Sequence, residues 1–232
     1  MLTPAARVVA HLLAGFLVLV APLLAYRNAH RPHAAAPGAR LRRYRWLVLR
    51  QLILIAALVA WIATSGVARA QVGLGPPLSW WWSGGASIAV AAFMLWSAVA
   101  LRRRAPELRD KMRHRAGALL LPETNREARW FALVSLCGGV AEELGYRGFL
   151  FYYALTWWPS LSPLELVLAT SVCFGIAHLY QGWRGVAATT IAGVLMGALY
   201  VASGNLLLPI VAHIMGNMRA AVIFWTPAAA RA

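Results

Sequence analysis

Cys137-Gly-Gly-Val-Ala-Glu142-Glu143-Leu-Gly-Tyr-Arg147-Gly148 decides how this chain folds. The stretch places two carboxylates and a guanidinium inside an apolar run that reaches from 129 to 157. An ionisable side chain at bilayer depth costs about 3 kcal/mol on insertion scales. Such groups persist where they pair with one another, line a wet cavity or do chemistry. Two later apolar runs also carry polar groups: His178 in one, His213 and Asn217 in the other.

The rest of the chain is consistent with a membrane setting. Of its 232 residues 61% are hydrophobic and 12% charged, with a mean hydropathy of +0.63. Soluble domains carry about 25% charged residues. The expected fold is all-α, a polytopic transmembrane bundle. About 20 apolar residues are needed to span, and seven runs qualify, at about 6–26, 46–64, 80–101, 129–157, 163–181, 185–202 and 205–225. A signal peptide is the alternative for the first run, but its apolar core is longer than a usual h-region. Domain organisation follows as variable leading helices over 1–119, a core over 120–225 and a tail over 226–232.

The net charge of +15 does not mark a nucleic-acid patch, so no nucleic-acid partner is expected. Sixteen of the 22 Lys and Arg residues fall in the windows Arg27–Arg50 and Arg102–Arg129, both bordering apolar runs. Basic loops lie on the cytoplasmic side and attract anionic lipid. Loops 27–45 and 102–128 are therefore expected inside, with the N-terminus out and the C-terminus in. His30, His33 and His114 read as solvated, the Ala/Pro stretch 34–39 as low-complexity loop, and 106–115 as a charged amphipathic segment. Trp80, Trp81, Trp82, Trp157 and Trp158 fall at the outer ends, as interfacial anchors do. Gly193 and Gly197 form a GxxxG pattern suited to close helix packing. Cys137 and Cys173 are too few for a disulfide framework.

Spacing sorts the polar residues. Glu143 and Arg147 are four apart, share a helix face and can pair, so both can be purely structural. Glu142 points about 100° away and lacks that partner. It is either a general base or acid, or a protonated group bonded to a neighbouring helix. Phe174 and His178 share a face, as do His213 and Asn217. A lone buried histidine is more often satisfied than catalytic, and the His213–Asn217 pair can be interhelical glue. At 1.5 Å per residue, most of these groups lie between mid-membrane and the inner half. Convergence is feasible, with water entering from the cytoplasm.

Taken in order on successive helices, Glu142-Glu143-x-x-x-Arg147, Phe174-x-x-x-His178 and His213-x-x-x-Asn217 resemble the CPBP family. These are the CAAX-protease and bacteriocin-processing intramembrane proteases, also called Rce1 or Abi type. The resemblance covers about 120–225 and includes Glu127-x-x-Trp130-Phe131 and Gly148-Phe149-Leu150. It implies an intramembrane endopeptidase in which Glu142 and His178 activate water. His213 and Asn217 stabilise the oxyanion, while Glu143, Arg147 and Phe174 support them. The family name often says metalloprotease. Glu142, His178 and His213 would be the zinc ligands if Zn²⁺ is held, since catalytic zinc takes three protein ligands and a water. No HExxH motif is present, and the same residues can work without a metal, so no cofactor is expected to be required. The expected substrate is a membrane-embedded peptide or C-terminal tail. The Ala/Arg-rich composition suggests a high-GC bacterium and its cytoplasmic membrane, where a prenylated substrate is unexpected. A transporter or proton relay would also use intramembrane Glu and His, but no second copy of the motifs exists. A non-catalytic immunity or scaffold protein on the same fold is the other alternative.

Overall fold

The computed structural model describes residues 2–29, 38–104 and 121–224. The segment 106–115, His30, His33, His114, residues 34–37 of the Ala/Pro stretch and the tail 226–232 lie outside them. Seven helices run in chain order, with no strand among the described residues. These are α1 (Pro4–Ala29), α2 (Ala39–Ser65), α3 (Trp80–Arg104), α4 (125–157), α5 (Pro163–Ala177), α6 (Trp183–Ser203) and α7 (Leu207–Phe224). Among them α1, α2, α3 and α6 are long and apolar enough to cross a membrane, and α5 is a shorter apolar helix. The chain is an integral membrane protein.

Local chemistry starts and stops these helices. Thr124 and Glu127 form a reciprocal capping box at the start of α4, as Ser162 and Glu165 do for α5, with Pro163 in its first turn. Each box satisfies two orphan backbone donors. Gly66 and Gly204, at φ +76° and +65°, end α2 and α6 in the left-handed conformation that glycine adopts freely.

Two boundaries differ from the sequence expectation. Helix α2 begins at Ala39, so Arg40, Arg42, Arg43 and Arg45 are helical rather than part of a loop. Arginine is a good helix former, and Arg40 is held by Glu123 at 2.8 Å and Glu127 at 3.1 Å. Helix α5 stops at Ala177, not 181. A 3-10 turn, Leu179–Gln181, follows and leads to Gly182 at φ +78°.

Helix α4 packs against both α2 and α7; α3 lies on α7, and α5 on α6. The main core joins α1, α2, α4 and α5 through Leu17, Leu58, Trp61, Phe149 and Phe174. Helix α1 is a packed member of the bundle: Trp61 Nε1 donates to the carbonyl of Ala6, and the Tyr146 hydroxyl to that of Leu17. The GxxxG pair serves contact within the bundle. A Cβ at Gly193 would stand 3.0 Å from Ser171 Cβ, and one at Gly197 3.0 Å from Val167 Cγ1. Trp80, Trp81, Trp82, Trp157 and Trp158 are all exposed, at one end of α3 and α4.

Candidate active site

Helix α4 changes its winding where it carries its charges. Asn125–Glu143 is α-helical, Leu144–Phe149 is a π turn, and Leu150–Trp157 is α-helical again. Single π turns inside α-helices recur at functional sites. This one faces a second π turn in α1, Phe16–Val20, and the Tyr146–Leu17 hydrogen bond joins the two. Gly139 lets α7 approach: a Cβ there would lie 2.5 Å from Ile214 Cγ1. That close approach brings His213 over Glu143.

Glu143 and Arg147 are both fully buried, with Arg147 Nη1 donating to Glu143 Oε1 at 3.0 Å. Arg147 Nη2 donates to the carbonyl of Gly193 on α6 at 2.8 Å. The same Glu143 Oε1 lies 2.6 Å from His213 Nδ1. A carboxylate only accepts, so Nδ1 carries the proton and Nε2 points away from Glu143. Arg147, Glu143 and His213 thus form one sealed chain that orients an imidazole.

His178 is placed differently. It caps α5, with φ −102° and ψ +14°, and its backbone N–H turns to Gly175. The last carbonyls of a helix lack backbone partners. Here the Phe174 carbonyl accepts instead from His178 Nδ1 at 2.8 Å, which again leaves Nε2 facing the site. Phe174 is the shared support. Its ring lies 4.7 Å from that of His178, 5.9 Å edge-on from that of His213, and 4.8 Å from the Arg147 guanidinium carbon.

Glu142 meets both imidazoles. Its Oε2 lies 3.7 Å from His213 Nε2 and 4.0 Å from His178 Nε2, with its side chain 29% exposed. These gaps exceed a direct hydrogen bond, so the groups can share a water held beside them. Asn217, one turn beyond His213 on α7, is exposed and has no hydrogen bond among the described residues. Thus Glu142, Glu143, Arg147, Phe174, His178 and His213 come together, and Asn217 stands open beside them.

Three neighbours were missed by motif reading. Tyr146 packs edge-on to Phe174 at 5.2 Å. Tyr180 lies 5.8 Å from the His178 ring and accepts from Gln181 Nε2. Desolvation pushes the Tyr180 phenol above its ordinary value, so it stays a neutral donor. Gln51 on α2 reaches the same floor; its only sequence signal is one amide in an apolar run. Among the described residues no group of three His, Cys, Asp or Glu side chains is arranged to hold a metal ion. The Glu142, His178 and His213 set does not meet that arrangement, and no step below passes through one.

Residues 124–219 match the family model described as type II CAAX prenyl endopeptidase Rce1-like. The match is to the family that the three motifs resemble, and the matched stretch carries Glu142, Glu143, Arg147, Phe174, His178, His213 and Asn217, whereas Gln51 lies outside it. No curated protein and no solved structure matches the chain.

Proposed function

We propose that this Rce1-like domain is an intramembrane endopeptidase that cuts a membrane-embedded peptide or C-terminal tail. One observation carries the proposal: a single carboxylate oxygen, Glu142 Oε2, faces the Nε2 atoms of two histidines at 4.0 and 3.7 Å, beyond direct hydrogen bonding and close enough to share a water. A water there donates one hydrogen to Glu142 Oε2 and the other to His178 Nε2. Glu142 removes its proton as the oxygen attacks the scissile carbonyl carbon. In its imidazolium form, held by Glu143, His213 offers Nε2–H to the developing oxyanion. The Asn217 amide is the second donor, one turn along the same helix. Preorganised donors in a dry site are worth most where charge develops. Glu142 then passes its proton to the leaving nitrogen, the C–N bond breaks, and two peptides result. No metal is needed for any of these steps.

We place the N-terminus outside and the C-terminus in the cytoplasm of a bacterial inner membrane, because the basic segments flanking α2 and α4 belong inside. Water and the polar product then enter and leave from the cytoplasm.

The experiment is membrane proteomics of cells lacking the protein, complemented with wild type or Glu142→Gln. A protein that keeps an extra segment only with Glu142→Gln supports the protease and names its substrate and bond. Matching peptide profiles at equal expression would move the scaffold alternative to the front.

A further inference from the structure

The two oxygens of Glu142 face different neighbours. Oε2 faces the histidines. Oε1 lies on the Gly138 side, 3.8 Å from where a Cβ on Gly138 would stand. That empty position is already taken from the other side: Gln51 Nε2 lies 2.6 Å from it and Gln51 Cδ 3.5 Å. Gly138 is therefore the notch through which the Gln51 amide reaches the floor of the site. Gln51 comes from α2, outside the matched residues. Its Oε1 is buried and has no hydrogen-bond partner among the described residues. A buried acceptor without a partner in a native structure calls for an explanation beyond packing.

We propose that Gln51 is a positioning residue for Glu142. Its Nε2–H donates to Glu142 Oε1 in the working site and keeps Oε2 aimed at the two imidazoles. A carboxylate in an apolar setting rotates freely about its last bond unless both oxygens are engaged. A water shared with the histidines engages one oxygen and Gln51 the other. The leading helices then contribute to the chemistry, since one of them completes the floor. This inference rests on Glu142 being the base, and its test separates the two.

The test is infrared spectroscopy of the purified full-length protein in detergent. The carboxyl band of Glu142 is identified by its loss in Glu142→Gln. Gln51→Leu is expected to shift that band. Gly138→Ala is expected to shift it similarly, because the new methyl would stand 2.6 Å from Gln51 Nε2, too close to keep, but at an ordinary contact distance of 3.8 Å from Glu142 Oε1, and so evicts the amide without removing it. The double variant should move it no further than either single change, the non-additivity of residues acting as a unit. In complemented cells, processing of the segment retained with Glu142→Gln should fall up to about 100-fold in both variants, as misplacing a catalytic group does. A band unmoved in folded Gln51→Leu and Gly138→Ala proteins overturns the inference and leaves Glu142 as base. A shifted band with full processing by Glu142→Gln overturns the base instead.

Discussion

The two adjacent carboxylates on α4 live in opposite surroundings. Glu143 is fully buried, locked to Arg147 at 3.0 Å and to His213 at 2.6 Å. Glu142 is 29% exposed, and its nearest imidazole nitrogens are 3.7 and 4.0 Å away. One residue of helix rotation turns a charge from the sealed interior to the open cleft. The sealed half fixes geometry, and its charges neutralise one another. The open half holds its groups beyond direct hydrogen-bond distance and partly exposed, where a water can reach them. A site that must take in water needs both, and His213 belongs to both, with one ring nitrogen in each half.

That contrast breaks most visibly at Glu142. Glu142→Gln keeps the shape and removes the proposed base. Processing should fall by about 10²–10⁴-fold, while thermal unfolding in detergent matches wild type. If Glu142→Gln instead lowered stability as Arg147→Met does, the distinction between the halves would collapse. Arg147→Met is expected to destabilise the fold by about 3–5 kcal/mol, the effect of stranding one member of a buried ion pair. Chemical or thermal unfolding reads this directly; a normal melt with lost activity would move Arg147 into the chemistry. Asn217→Ala should leave the melt unchanged and lower kcat by about 100-fold, the loss of one oxyanion donor. A loss confined to KM would make Asn217 a substrate contact instead. Gly193→Ala crowds Ser171 and should cost about 1–3 kcal/mol of stability, as overpacking does, with the cleft chemistry intact. The smallest expected effect is that of a strong chelator, which should leave processing unchanged. Loss on chelation with rescue by Zn²⁺ would falsify the metal-free mechanism.

Apolar runs made all seven helices legible, although only four of them are long and apolar enough by themselves to cross a bilayer. The i,i+4 pair Glu143–Arg147 was legible too, and it survives the π turn that begins between its members. What was not legible is what chain distance hides. The Glu143–His213 hydrogen bond joins residues 70 apart and depends on Gly139 admitting α7. His178 was read as lying within a span, yet it caps one; a three-residue turn leaves little hydropathy signal. Arg40 falls in a basic stretch that hydropathy assigns to a loop, whereas the carboxylates that hold it in the helix sit 83 and 87 residues away. Gln51 carried no motif at all. Its place depends on a glycine in another helix.

The early end of α5 has a consequence for the bilayer itself. Fifteen residues rise about 22 Å, against a hydrocarbon thickness of about 30 Å. A span that falls short is accommodated by local thinning. His178 stands at that short end, so the depth of hydrocarbon beside it is set by how lipid and the neighbouring helices meet the mismatch. In the proposed reaction, thinning of the lipid on that side would bring the scissile bond nearer the aqueous boundary without a channel through the bundle.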